Sequence, residues 1–276
     1  MPPNTLKTET EGKETSIQNA LARSTIYQSL SLCFSEPDKG TFPILKDKGY
    51  LGDVQESLET FLAIDRINGA IDTASSISLL NIPPLIEDCI REKSLEDIKT
   101  EYTRRFGTFV SSKECPIYET FYGKLDIFQQ TQELADISGF YRAFGLKFSE
   151  DVKKDKFDHL SVELEFMHYL TYKEAYALEN HGDDRVSICV NAEKKFMKGH
   201  LGKWVGLFAV LVNKHSKEGF YALSADLLKS FIKLEWKFLN VRPDEVKVIN
   251  DDVFNEEDFQ CGPGTCETAP NTGSLL

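Results

Sequence analysis

From Ile17 to Asn240 the apolar positions recur every three or four residues, the period of α-helices that each bury one face. Ile26, Leu30, Cys33 and Phe34 line a first helix that Pro37 ends. Val54, Leu58, Phe61 and Leu62 define a second over 53–64. The run Asn81-Ile-Pro-Pro84 breaks the pattern and places Pro84 early in the next helix. Ser94 is set to cap a helix over 95–109, with Asp97 completing a capping box. A loop at 110–116 precedes a helix over 125–144, carrying Leu134, Ile137, Tyr141 and Phe144, which Gly145 stops. A charged connector, 148–157, leads into a long helix over 158–179 with a stripe of Leu160, Leu164 and Met167, widened by Phe166 and Leu170. Further helices are expected over 184–198, 201–214 and 217–240, the last with Phe220, Leu223, Leu227, Phe231, Leu234 and Phe238 on one stripe. No alternating β-branched run interrupts them, so the fold class is all-α: a single helical-bundle domain over 16–240.

Both ends break this pattern. Residues 1–15 are polar and read as a flexible N-terminus without the apolar core of a secretory signal. Residues 241–276 read as an acidic, disordered tail. From Ile249 onward there are six acidic residues and no Lys or Arg, which is half of the formal net charge of −12. Such an acidic balance argues against nucleic acid as a partner, because phosphate binding needs a basic surface. No apolar run approaches the length of a membrane span, and Gly202–Val212, the most apolar stretch, is too short. Six scattered cysteines do not make a disulfide framework, and the expected location is the cytoplasm.

Candidate chemistry is sparse. Glu165-x-x-His168 has the spacing used in di-iron bundles, but one copy without further glutamates is half a motif, and no metal site is expected. Cys261-Gly-Pro-Gly-Thr-Cys266 brings two thiols close, which suits a turn, a redox pair or partner docking without the further ligands a zinc site needs. Phosphate-cradling loops and nucleophile elbows are both missing, so no catalytic residue and no cofactor are assigned. Two stretches carry more chemistry than packing requires. Cys115-Pro-Ile-Tyr-Glu-Thr-Phe-Tyr122 concentrates aromatics and a carboxylate in a loop between helices, a composition suited to peptide recognition. Asp158-His159 opens the long helix, with Asp158 as its candidate N-cap and Glu163 one turn from His159, within reach of a shared hydrogen bond.

These stretches, together with Glu101-Tyr-Thr-Arg-Arg-Phe106, Ala135-Asp-Ile-Ser-Gly-Phe-Tyr-Arg-Ala-Phe-Gly145 and Phe157-Asp-His-Leu160, resemble the TorD/DmsD/NarJ family of redox-enzyme maturation chaperones. The branch most similar serves the respiratory and dehydrogenase-type members of the dimethyl-sulfoxide-reductase family, among them nitrate, selenate and chlorate reductases. Where other members often have Glu-Pro ahead of Asp-His, this chain has Lys153-Lys-Asp-Lys-Phe157, and its loop lacks the tryptophan of some relatives.

The resemblance implies a TorD-like helical domain without enzyme activity. It implies binding of the apo catalytic subunit of a molybdenum-containing oxidoreductase and of its twin-arginine signal peptide, so that cofactor insertion precedes export. Carried over by position, the client site comprises Asp158, His159, Pro116, Tyr118, Glu119 and Tyr122, with Glu163 beside them. An apolar groove would take the apolar part of the signal, and the carboxylates of Asp158, Glu119 and Glu163 would meet its arginines, whose planar forks suit carboxylates. The competing reading is a helical cofactor carrier or redox enzyme of the same pathway. Monomer and homodimer both remain open.

Overall fold

A computed structural model describes residues 3–64, 67, 69, 71–107, 114–123, 126–147, 157–216 and 218–249. In chain order the helices are α1 (Pro3–Phe34), α2 (Thr41–Leu45), α3 (Lys48–Leu62), α4 (Thr73–Leu80), α5 (Ile82–Arg91), α6 (Leu95–Tyr102), α7 (Ile127–Ala143), α8 (Leu160–Asn180), α9 (Asp183–Gly199), α10 (Leu201–His215) and α11 (Phe220–Leu239). The described residues contain no strand, only two isolated bridges, so the fold is all-α. Cys261 and Cys266 lie outside the described residues.

Local chemistry explains most boundaries. Ser94 and Asp97 form the expected capping box at α6. Asp126 and Gln129 form a second one, which starts α7 at Ile127. Gly145, at φ +76°, ends α7, with Leu146 N–H returning to the Tyr141 carbonyl in a Schellman-like closure. Helix α6 is shorter than its periodicity predicts, because the chain widens into a π-turn over Thr103–Gly107 that turns Phe106 inward. Helix α1 begins well before Ile17, where its apolar stripe starts.

Helix α1 lies along α8, which packs on α9, while α10 packs on α11 and α11 on α5. Phe34, Tyr102, Phe106, Phe208 and Tyr221 meet in one aromatic cluster, and Tyr141, Phe166 and Phe196 in another, mostly edge to face.

At the crossing of α1, α8, α9 and α11, Arg23 is fully buried. Its Nε donates to Glu235 Oε1 at 2.8 Å, Nη1 to Glu174 Oε2 at 2.8 Å, and Nη2 to both Glu193 and Glu235. Tyr27 adds a hydroxyl donor to Glu235 Oε2, and the Phe238 ring lies 4.3 Å from the guanidinium carbon. One cation among three carboxylates leaves surplus negative charge in a dry interior. Burial accordingly pushes the Glu193 carboxyl from 4.5 up to about 8, even though Arg23 pulls the other way.

The described chain continues past α11. Residues 241–249, assigned to the tail on composition, run extended over the start of α10. Val246 N–H bonds the Lys203 carbonyl, Gly123 N–H bonds the Val248 carbonyl, and Ile249 bridges Tyr122. Gly202 makes this approach possible: a Cβ there would stand 2.7 Å from Pro243 Cγ and 2.8 Å from Trp236 Nε1.

Arg23→Met should cost about 3–5 kcal/mol in urea unfolding, because three buried carboxylates lose their cation. Glu193 gives a second readout. Its folded pKa lies above its unfolded value, so its contribution is complete below about 4.5 and is lost as pH rises towards 8. Stability measured across that window should fall less steeply in Glu193→Gln than in the parent.

Candidate functional site

The loop 114–123 and the residues before α8 form one unit through backbone pairing. Tyr118 bridges His159 antiparallel: Glu119 N–H donates to the Asp158 carbonyl at 2.9 Å and Leu160 N–H to the Ile117 carbonyl at 3.0 Å. Two segments some forty residues apart are thereby fixed side by side.

Asp158 does not cap α8. Its Oδ2 accepts Thr120 N–H at 3.1 Å and Thr120 Oγ1–H at 2.6 Å, across the bridge. The cap is His159, whose Nδ1 accepts Ser161 N–H at 3.2 Å. An imidazole replaces the carboxylate there because Asp158 is committed to the loop. His159 Nε2 lies 3.2 Å from Tyr102 Oη, and its carbonyl, rather than its ring, takes Glu163 N–H. Tyr122 Oη donates to the Pro116 carbonyl at 2.7 Å, and its ring packs on Trp204.

The seven residues expected at the site thus come together, but in two layers. Glu119, Asp158 and Glu163 are at most 2% exposed. Glu119 lies 3.2 Å from His200 Nδ1, and Glu163 Oε2 accepts the Trp204 indole N–H at 3.2 Å. Burial, then the facing Glu119 carboxylate, drives Glu163 well above the usual carboxylate range. Burial also raises Asp158, against the lowering effect of the Thr120 bonds. Direct pairing of these three with a client's arginines is therefore not the arrangement seen: each is turned inward to a partner of this chain.

The outer layer is a groove of about 410 Å³. Tyr118 and His159 line it, as do Tyr102, Phe106, Ile117 and Val162, and Glu36 stands at its rim. Glu36 is an exposed carboxylate, and together with burial and Tyr118 it holds the Tyr102 phenol protonated. A larger crevice of about 760 Å³ runs between α1, α3 and the end of α11, where Ala63, Ile64 and Phe238 meet Glu14, Gln18 and Asn19 and the exposed lining is mostly apolar, but none of the residues expected at the site lines it.

Glu36 and His200 escaped the sequence reading. Glu36 sits between Ser35 and Pro37 with no local pattern, and the partners of His200 are Glu119 and Asp136, 81 and 64 residues away.

The geometry on the page is thus a helical domain with a groove lined partly by aromatic rings. Residues 80–210 match the family model described as nitrate reductase delta subunit. The chain is also 27% identical over 223 residues to the perchlorate reductase assembly chaperone protein of Dechloromonas aromatica (strain RCB), covering 78% of this chain and 89% of that relative. Both matches make the chain similar to redox-enzyme maturation chaperones of the NarJ/TorD type, the first over residues 80–210 and the second over most of its length.

Asp158→Ala should cost about 1–3 kcal/mol in denaturant unfolding, because both Thr120 donors lose their acceptor. Combining it with Thr120→Val should cost clearly less than the sum of the single changes, the mark of a coupled pair.

Proposed function

We propose that this chain is a cytoplasmic chaperone for the apo catalytic subunit of a molybdenum-containing oxidoreductase, holding it for cofactor insertion and delaying its export. The family and the perchlorate-reductase relative support assembly of a redox subunit. The observation that carries the binding mode is the groove: aromatic walls from Tyr102, Phe106 and Tyr118, closed by Ile117 and Val162, with one exposed carboxylate, Glu36, at the rim. Aromatic side chains offer large contact area with few rotatable bonds, so they lose little entropy on gripping an extended peptide. A twin-arginine signal peptide matches both parts: its apolar stretch lies against the rings, and an arginine meets Glu36.

In this mechanism the residues divide by role. Tyr118 and His159 touch the client. Asp158, Glu119, Glu163, Pro116 and Tyr122 are positioning residues that hold the loop, and with it Tyr118, against α8. No covalent step is involved. Release follows when the loaded, folded subunit no longer presents the extended segment.

Calorimetric titration of the full chain with the client's signal peptide tests this. Tyr118→Ala should weaken binding about tenfold or more, on the scale of an interfacial aromatic anchor. Glu36→Gln should weaken it severalfold, and only at low salt, because the pair is exposed. Asp158→Ala should weaken it through a looser loop, with unchanged far-ultraviolet circular dichroism. Unchanged affinity in both Tyr118→Ala and Glu36→Gln would remove the groove from the mechanism. Capture of the mature subunit alone would move the contact away from the signal.

A further inference from the structure

Behind the groove loop, four carboxylates, Glu119, Glu133, Asp136 and Glu163, converge on one histidine, His200, and one lysine, Lys203. They come from the loop, α7, α8 and the α9–α10 corner. Ligand atoms of Glu119, Glu133 and His200 all lie within 4.8 Å of one another, the spacing of donors around a single ion. His200 Nε2 lies 3.2 Å from Asp136 Oδ2 and Nδ1 3.2 Å from Glu119 Oε2, so Asp136 orients the ring, and Nδ1 becomes a metal ligand when an ion displaces the proton it gives Glu119. A carboxylate holding the far nitrogen of a histidine is the usual support for a metal-bound imidazole.

A second observation comes from beneath. Glu163 is completely buried and faces Glu119, and no donor other than a proton shared between these two carboxyl groups reaches its Oε1 among the described residues. Two buried carboxyl groups face to face share a proton, and both ionise only where a cation stands close by. The cation nearest to hand is Lys203, with Nζ 2.7 Å from Glu133 Oε1 and 3.8 Å from Glu119 Oε1. Its side chain is a quarter exposed, so it can swing out to solvent.

We infer that Glu119, Glu133 and His200 form a binding site for a divalent transition-metal ion, with Glu163 behind it and Lys203 as the built-in competitor for the same position. One imidazole and several carboxylates suit a first-row ion such as Mn²⁺, Fe²⁺, Co²⁺ or Zn²⁺, and not Mg²⁺, which prefers oxygen alone and keeps its water. Bound there, the ion would tie the loop carrying Tyr118 to α7 and α10, so metal occupancy would set the rigidity of the groove wall. The inference does not depend on which client the groove accepts.

The test is titration of chelator-treated full-length protein with Co²⁺ alone, followed by visible absorbance. One equivalent should bind with d–d bands and without a thiolate-to-cobalt charge-transfer band, which separates this site from the Cys261–Cys266 pair. His200→Gln should weaken that binding at least tenfold with unchanged circular dichroism. Lys203→Met should tighten it severalfold, an effect that misfolding cannot produce, so this variant decides the matter if His200→Gln fails to fold. Binding that survives His200→Gln, cobalt held only by thiolates, or no gain in Lys203→Met would overturn the site.

Discussion

A guanidinium with no contact to water must have its positions filled by acceptors that themselves tolerate burial, and this requirement at Arg23 organises the bundle. Helices α8, α9 and α11 each send one glutamate to the same cation on α1. Apolar stripes alone would permit these helices to slide by a turn or pack in another order. The fork of Arg23, with Glu235 held bidentately and Tyr27 satisfying its remaining acceptor, allows one register. The surplus carboxylates make this a costly means of fixing it, and the raised Glu193 shows how the cost is contained, by retaining a proton. With α8 so fixed, its first turn becomes a stable platform for the loop that carries Tyr118.

The groove then follows from a second commitment of polar groups. Asp158 spends both its backbone carbonyl and its carboxylate on the loop, and His159 takes over the cap that Asp158 leaves vacant. Since His159 also reaches Tyr102 on α6, one residue joins the loop, the π-turn region and α8. The widened turn at Thr103–Gly107 puts Phe106 where a continued α-helix would not. Groove shape is therefore set by backbone geometry and buried hydrogen bonds, and the exposed side chains supply only its lining.

Much of this was legible in the sequence because it is local. The stripes of Leu160, Leu164 and Met167 or of Phe220, Leu227, Phe231 and Leu234, the Ser94–Asp97 box and the stop at Gly145 each depend on residues within a few positions. The family resemblance singled out a set of residues, and the structure brings Tyr118, Glu119, Asp158 and His159 of that set into contact across one backbone bridge. Their division into an inward and an outward layer was not legible. Whether Glu119 faces solvent or His200 depends on a residue 81 positions away, and no local spacing encodes that. The same holds for Arg23, a lone charge among Ala20, Ala22, Ile26 and Tyr27, whose partners are at least 151 positions distant. The packing of residues 241–249 was not legible for a related reason: Gly202 leaves room for them, a fact held by another helix.

The double duty of His159 has a mechanical side. One wall of the groove is also the first turn of a 21-residue helix that runs through the core. Moving that wall outward would strip the helix of its cap and unpair the bridge to Tyr118, so the α8 side is stiff. The opposite wall, built on the loop, is tied to that same turn by the backbone bonds of Glu119 and Leu160, and to residues 248–249 by those of Gly123 and Tyr122. The groove is in effect a mould cast in one piece, and its two walls cannot part without breaking the pairing that also starts the helix.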